Sequence, residues 1–364
     1  MKRYLWIFAV LPFLWSCIAE DSSACPQPRG VSVRMSVCPD PMTAVPRAAD
    51  EEALRDLNFY LLDADGNVVQ HRYQSSPTLR FECLPGNYLL RIAANMGRDL
   101  GENPASEDFT VTHADEYDTL PMSYEGEVSI PSSDETVTLP TVEVQRVVAK
   151  VTYNISVAPD AGDIRLHSVQ PVNLPARVPV FDPGLRAAEY TAGEIVGSSS
   201  QTLTGTFYML PNLQGEVPSI ADQRDKGPAN APADATFLRI RALRGSKVLD
   251  YYIYPGGNNT SNFDIRANTH YRLDIMIRGD AEVDTRIRAY TVEVLCTPEA
   301  ALSNGFLLER QPMRLTLRLG GAYEETGVEA FVELKTGDVR YFGFEGQWGA
   351  VARPMEIRGP ENDY

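Results

Sequence analysis

Histidine is scarce in this chain of 364 residues: there are four, His71, His113, His167 and His270. None has a helix-spaced partner, and neither a CxxC nor a GxSxG run occurs, so the common local patterns of a metal ligand set or an activated nucleophile are missing. Carboxylates distant in sequence remain open to meeting as a glycosidase pair, but no local pattern supports one. The expectation is a non-enzyme with no cofactor and no metal. Basic residues are also few, 33 Lys and Arg against 49 Asp and Glu, for a formal charge of −16. That balance argues against nucleic acid or an anionic membrane surface as main partner, because both need Lys and Arg to neutralise phosphate. Long stretches of helical period are absent too. What is present is Val and Thr in short alternating runs, punctuated by Gly and Pro, which predicts an all-β fold. With 43% hydrophobic residues, the chain can bury two or three cores at roughly 100–200 residues per domain.

The first seventeen residues read as an address. Lys2 and Arg3 form a basic start, and Tyr4 to Trp15 an apolar run too short to span a membrane, closed by Leu14-Trp15-Ser16-Cys17. This resembles a bacterial lipobox, in which a small residue precedes the cleaved bond and a cysteine follows it to take the lipid. Ser16 and Cys17 fit, whereas bulky Trp15 stands where a small residue is usual. The competing reading is an ordinary secretory signal with a chance cysteine. The acidic pair Glu20-Asp21 resembles the signal that sends Bacteroidota lipoproteins to the outer face of the outer membrane. Four cysteines remain, Cys25, Cys38, Cys83 and Cys296. They allow three disulfide connectivities in an exported protein, or none, with Cys83 serving as a small apolar residue.

The organising stretch is Thr136 to Val157, TVTLPTVEVQRVVAKVTYNISV, too long for one strand of about 3–10 residues. Its alternation slips at Pro140–Thr141 and again near Arg146. A one-residue slip turns every side chain to the other face, so Val147 to Val157 are expected to serve a different core from Val142 and Val144. The predicted domains are therefore 18–145, 146–285 and a small β-rich 286–364.

In the first domain, Val31, Val33, Met35 and Val37 share one face of a strand, as do Leu57, Phe59 and Leu61 of the next; a hairpin turns at Asp65-Gly66. Asp63, Asp65 and Asn67 suggest a calcium loop only superficially, because the twelfth-position glutamate and the flanking helices of an EF-hand are missing. Another hairpin joins Leu79, Phe81 and Cys83 to Leu90, Ile92 and Ala94, and the whole is a sandwich pattern. Between the first two strands runs the loop Pro39 to Asp56, whose middle, Val45 to Asp50, is the kind of exposed segment proteases cut. Arg47 and Ala48 would be the residues flanking such a cut; otherwise Arg47 is one surface arginine among many.

Later strands carry a more specific signal. The run Tyr251–Gly279, with its tyrosine-rich strand, Gly-Asn turn, F-x-I-x-x-N-x-x-Y link and final strand ending in glycine, is similar to the closing strands of fimbrillin-like subunits of Bacteroidota type V pili. FYMLPNLQG at Phe207–Gly215, QRVVAKVTYNI at Gln145–Ile155 and the Arg-Ala-Ala-Asp-Glu-Glu entry to LNFYLLDADG resemble further stretches of that family. The resemblance implies two tandem transthyretin-like, Greek-key β-sandwich domains. It also implies export as a lipoprotein and assembly with other fimbrial subunits by strand donation. An arginine-specific cut after Arg47 would release the first strand and open a groove for a donor. His270 reads as structural.

Beyond residue 285 the resemblance fades. Strand signals continue through Tyr290, Val292 and Val294, Met313 to Leu319, and Val328 to Leu334. The cluster Tyr341, Phe342, Phe344 and Trp348 is either a sugar-stacking platform or, as aromatics at strand spacing more often are, core. The expected role is a structural and adhesive subunit of the fimbrium, on the outer membrane through lipid on Cys17, placed at the tip and facing a host or bacterial receptor. A membrane-retained anchor and a monomeric surface lipoprotein that binds glycan or protein are the alternatives.

Overall fold

Strands carry nearly all of the regular structure in the computed structural model. It describes residues 29–40, 49–102, 106–198, 200–281, 284–298, 313–322, 330–333, 343–344, 347–348, 352–355 and 361–363. Among these residues the helical elements are short 3-10 turns, at Ala49–Glu52, Ser106–Phe109 and Gln223–Asp225.

The first nine strands are β1 (Val31–Pro39), β2 (Leu57–Leu62), β3 (Val68–Gln74), β4 (Thr78–Cys83), β5 (Gly86–Ala94), β6 (Thr110–Thr112), β7 (Met122–Ile130), β8 (Val137–Thr138) and β9 (Val142–Arg146). All but β6 join one sheet in the order β3-β2-β5-β7-β9-β1-β4, with β8 also on β1. The sheet wraps round: Phe59 of β2 and Phe81 of β4 lie far apart in that order, yet their rings are 4.9 Å apart across the core. The hairpin at Asp65-Gly66 forms as expected. Asp63 Oδ1 accepts from the Asp65 and Asn67 amides and Gly66 takes φ 83°, so that carboxylate is occupied in closing the turn.

Two expectations for this core need correction: β4 and β5 do not form a hairpin, since β4 pairs with β1 and β5 with β2 and β7, and the burial of β2 was read too narrowly. All six residues of β2 are buried, not only Leu57, Phe59 and Leu61. Asn58 and Tyr60 face a second cover, residues 98–101: Asn58 donates to the Arg98 carbonyl and accepts from the Leu100 amide, and Tyr60 donates to the Gly101 carbonyl. Alternation marks a half-buried strand, and a strand covered on both sides has no polar face to display.

The second region contains β10 (Ala149–Val157), β11 (Arg165–Val172), β12 (Leu174–Pro175), β13 (Arg177–Pro179), β14 (Tyr190–Thr191), β15 (Val196–Gly197), β16 (Thr202–Met209), β17 (Phe237–Arg244), β18 (Lys247–Ile253) and β19 (His270–Ile277). Then come β20 (Ile287–Pro298), β21 (Met313–Gly321), β22 (Ala330–Glu333), β23 (Gly343–Phe344), β24 (Gln347–Trp348), β25 (Ala352–Met355) and β26 (Glu361–Asp363). A three-stranded sheet, β16-β10-β19, packs on a seven-stranded one, β15-β11-β17-β18-β20-β21-β26. Their shared core holds Tyr153 and Ile155 of β10, Ile240 of β17, Leu249 of β18 and Ile277 of β19.

Two boundary expectations need correction. Val147 and Val148 pack with the first core, so the change of core falls after Val148 rather than at Arg146. The slip near Arg146 does turn the side chains, but the chain leaves the first sandwich only two residues later. Nor is 286–364 wholly a body of its own: β20 pairs antiparallel with β18 from Tyr251↔Ile287 to Lys247↔Thr291, and β21 and β26 extend the same sheet. A strand pattern specifies faces and leaves open which sheet a strand joins.

Candidate functional site

Three valines and a methionine make β1 the keystone of the first sandwich. Val31, Val33, Met35 and Val37 are 0–4% exposed, while Ser32 and Arg34 point to solvent. The strand runs antiparallel to β4 from Val31↔Cys83 to Ser36↔Thr78. It runs parallel to β8 at Val33↔Val137 and to β9 from Val37↔Val142 to Pro39↔Val144. The slip at Pro140 is thus the step by which the chain passes from one part of β1 to the next. β4 has no ladder partner other than β1 among the described strands. Fully burying four such side chains is worth about 6–12 kcal/mol. The outward face adds little, because Arg34 sits directly opposite Arg80, a like-charge pair on an antiparallel ladder.

Behind the C-terminal end of β1 lies a polar cluster that joins the two regions. Arg146 is 1% exposed. Its Nε donates to the Glu51 carbonyl at 3.0 Å, and a terminal nitrogen donates to the Asp40 carbonyl at 2.8 Å and to Asn268 Oδ1 at 3.1 Å. Asn268 in turn donates Nδ2 to Asp40 Oδ2 at 2.9 Å, while its backbone N–H reaches the Val148 carbonyl at 3.0 Å. Asn268 adopts φ 51°, left-handed backbone that asparagine tolerates better than most residues. Asp40 is fixed from its own side by an N–H bond to the Val144 carbonyl.

Glu51 completes the cluster. Lys150 Nζ lies 2.6 Å from its Oε1, and the Tyr208 hydroxyl donates to the same oxygen. Burial alone would raise the Glu51 carboxyl, but the Lys150 and Tyr208 hydrogen bonds, with the charges of Lys150 and Arg146, hold it below its ordinary value. Burial, followed by the bond to Glu51, pushes the Tyr208 phenol up. Two cations and two carboxylates therefore meet where β1, the 3-10 turn Ala49–Glu52, β9, β10, β16 and the link before β19 converge. Nearby, β13 of the second region pairs with β6 of the first, and Val178, Val180 and Leu210 enter the first core. The contact of Asn268 with Asp40 spans 228 positions.

The residues singled out from the sequence fall as follows. Cys17, Arg47, Ala48 and Tyr341 lie outside the described residues, as does Cys25. β23 and β24 pair, with Phe344 opposite Gln347 and Trp348 opposite Gly343; their side chains lie outside the description. Cys38 and Cys83 are free thiols, both half-buried, and burial raises each. His270 Nε2 lies 2.9 Å from Thr152 Oγ1 in the β10–β19 ladder, and burial, with Lys150 and Arg272 nearby, lowers its pKa. Among the described residues no three His, Cys, Asp or Glu gather as a metal site.

Residues 207–275 match a family model described as a domain of unknown function, DUF4906. In solved structures the chain is similar to the tip fimbrial protein Mfa3 of Porphyromonas gingivalis, determined with a C-terminal truncation. The identity is 16%, the match covers 80% of this chain and 99% of that one, and the TM-score is 0.46. It is also similar to the fimbrilin FimA of Porphyromonas gingivalis W83, at 14% identity, 71% and 95% coverage and a TM-score of 0.46. A third likeness is to a fimbrial assembly protein of Parabacteroides distasonis, at 12% identity, 80% and 96% coverage and a TM-score of 0.41. All three are fimbrial proteins. No curated protein matches the chain.

Proposed function

We propose that this chain is a non-catalytic subunit of a cell-surface fimbrium, exported as a lipoprotein on Cys17, whose first strand is a placeholder for a strand donated by another subunit. The observation that carries the reading is the setting of β1. Among the described strands it is the sole ladder partner of β4, it bridges β4 to β8 and β9, and its entire apolar face is buried. A strand taken from that position uncovers a row of N–H and C=O groups and an apolar groove, and an incoming strand restores both. The same strand is joined to the rest of the sandwich only through the segment that contains Arg47, so a cut there separates β1 from everything it pairs with.

In this reading an arginine-specific protease cuts between Arg47 and Ala48, the lipidated N-terminal piece departs, and a donor strand takes its place. The subunit accepts a strand without donating one, because β20 and β21 are paired along Tyr290–Gly321 and Pro298–Met313 inside the second sheet. Such a subunit belongs at the tip, where the C-terminal region, with Phe344 and Trp348, would meet a receptor. The test is the mature form found in purified fimbriae. Protein beginning at Ala48, together with an Arg47→Ala chain that stays on the membrane and out of fibres, is the expected result. Fimbria-associated protein that still begins at lipidated Cys17 would refute the exchange and make the chain an anchor.

A further inference from the structure

The polar cluster behind β1 has a role that burial of the groove alone does not require. A groove four side chains deep accepts any strand with apolar residues at alternate positions. The end of β1 is different. Asp40, three residues beyond the last inward residue Val37, offers its carbonyl to the buried Arg146 guanidinium and its carboxylate to Asn268 Nδ2. When β1 leaves, Asp40 leaves with it. Arg146 then loses the Asp40 carbonyl, and Asn268 Nδ2 loses the Asp40 carboxylate. Arg146 is 1% exposed, and taking one acceptor from a buried charge carries a cost.

We infer that this junction selects the strand that fills the groove by its terminal residue: the occupant carries an aspartate three residues past its fourth inward apolar side chain. Any residue supplies the backbone carbonyl for Arg146. Only a short side chain with an oxygen at that position restores the Asn268 bond, and a carboxylate makes it charge-assisted, which asparagine does not. The cluster also reaches across both regions, since Arg146 ends β9, Asn268 precedes β19 and Val148 accepts from the Asn268 amide. The same contact therefore links a filled groove to the setting of the second sandwich against the first.

The inference rests on the reading of β1 as an exchangeable strand, and the experiment separates the two. A full chain carrying a sequence-specific protease site within 41–48 is cut and incubated with fluorescent, C-terminally amidated peptides covering residues 29–41. Three peptides are used: the native sequence, Asp40→Asn and Asp40→Ala. Binding is expected to fall in that order, with the alanine peptide about tenfold weaker than the native one. In an Asn268→Ala host the native and alanine peptides are expected to differ by less than about threefold, because the selective partner is gone. Equal binding of all three peptides to the wild-type host would overturn the inference while leaving strand exchange standing. Failure of every peptide to displace residues 29–40 would overturn the exchange reading, and the inference with it.

Discussion

Replacing Arg146 by methionine removes the donor to the Glu51 carbonyl, the Asp40 carbonyl and Asn268 Oδ1 while keeping an unbranched side chain of similar reach. The guanidinium makes bonds of 3.0, 2.8 and 3.1 Å to the Glu51 carbonyl, the Asp40 carbonyl and Asn268 Oδ1. Hydrogen bonds to a charged group are worth about 1.5–3 kcal/mol each, so these three sum to roughly 5–9 kcal/mol. Two effects reduce the loss. Methionine has no charge to desolvate, which returns several kcal/mol, and half-buried Asp40 and Asn268 lie close enough to solvent to recruit water. The expected net cost is about 3 kcal/mol, large against the 5–15 kcal/mol of a whole domain. Arg146→Lys should recover part of it, since an ammonium reaches one or two of the three acceptors but not the fork. Urea unfolding followed by far-UV circular dichroism gives the magnitude. Hydrogen exchange gives the location: the Asp40 amide, bonded to the Val144 carbonyl, and the Asn268 amide, bonded to the Val148 carbonyl, should both exchange faster. A cost below about 0.5 kcal/mol with unchanged exchange at both amides would refute the view that Arg146 holds the junction.

Lys226 gives a pH-dependent prediction. It is 3% exposed, its Nζ donates to the Asn258 and Asn262 carbonyls at 2.8 and 2.7 Å, and burial pushes it down to about 8. The folded state therefore releases the proton near pH 8 while the unfolded chain keeps it to the ordinary value of 10.5. The unfolded state binds more protons in that window, so stability should rise there, by up to about 2 kcal/mol between pH 8 and 10. Lys226→Met should lack this rise, and parallel stability curves for the two proteins would refute it. Gly256→Ala tests the turn that Lys226 holds. A Cβ at Gly256 would fall well inside contact distance of the Asn262 carbonyl oxygen, which is backbone and cannot rotate away. The expected loss is about 2 kcal/mol in urea unfolding, and a loss below about 0.5 kcal/mol would show that the turn opens freely.

Much of the fold was legible because alternation reports local burial directly. Val31 to Val37 and Leu79 with Phe81 are inward as their spacing predicts, and the slip at Pro140 marks a real step between β8 and β9. The failures share one cause. Alternation says which face of a strand is dry and nothing about which strand lies beside it, so β20 was assigned to a separate domain although it pairs with β18. For the same reason Val147 was given to the second core although it packs in the first. The junction was the least legible part. Arg146 draws its acceptors from 95, 106 and 122 positions away, and a single arginine amid valines carries no periodicity to announce itself. An arginine at a change of phase is, however, a residue that both faces would have to bury. Where a strand pattern inverts at a long cationic side chain, the chain is crossing from one core to the next, and the crossing needs acceptors that neither core supplies alone. Here those acceptors come from both sides of the segment that holds Arg47, Asp40 before it and Glu51 after it. Removing β1 would therefore take one of the cluster's own acceptors, the Asp40 carbonyl, with it.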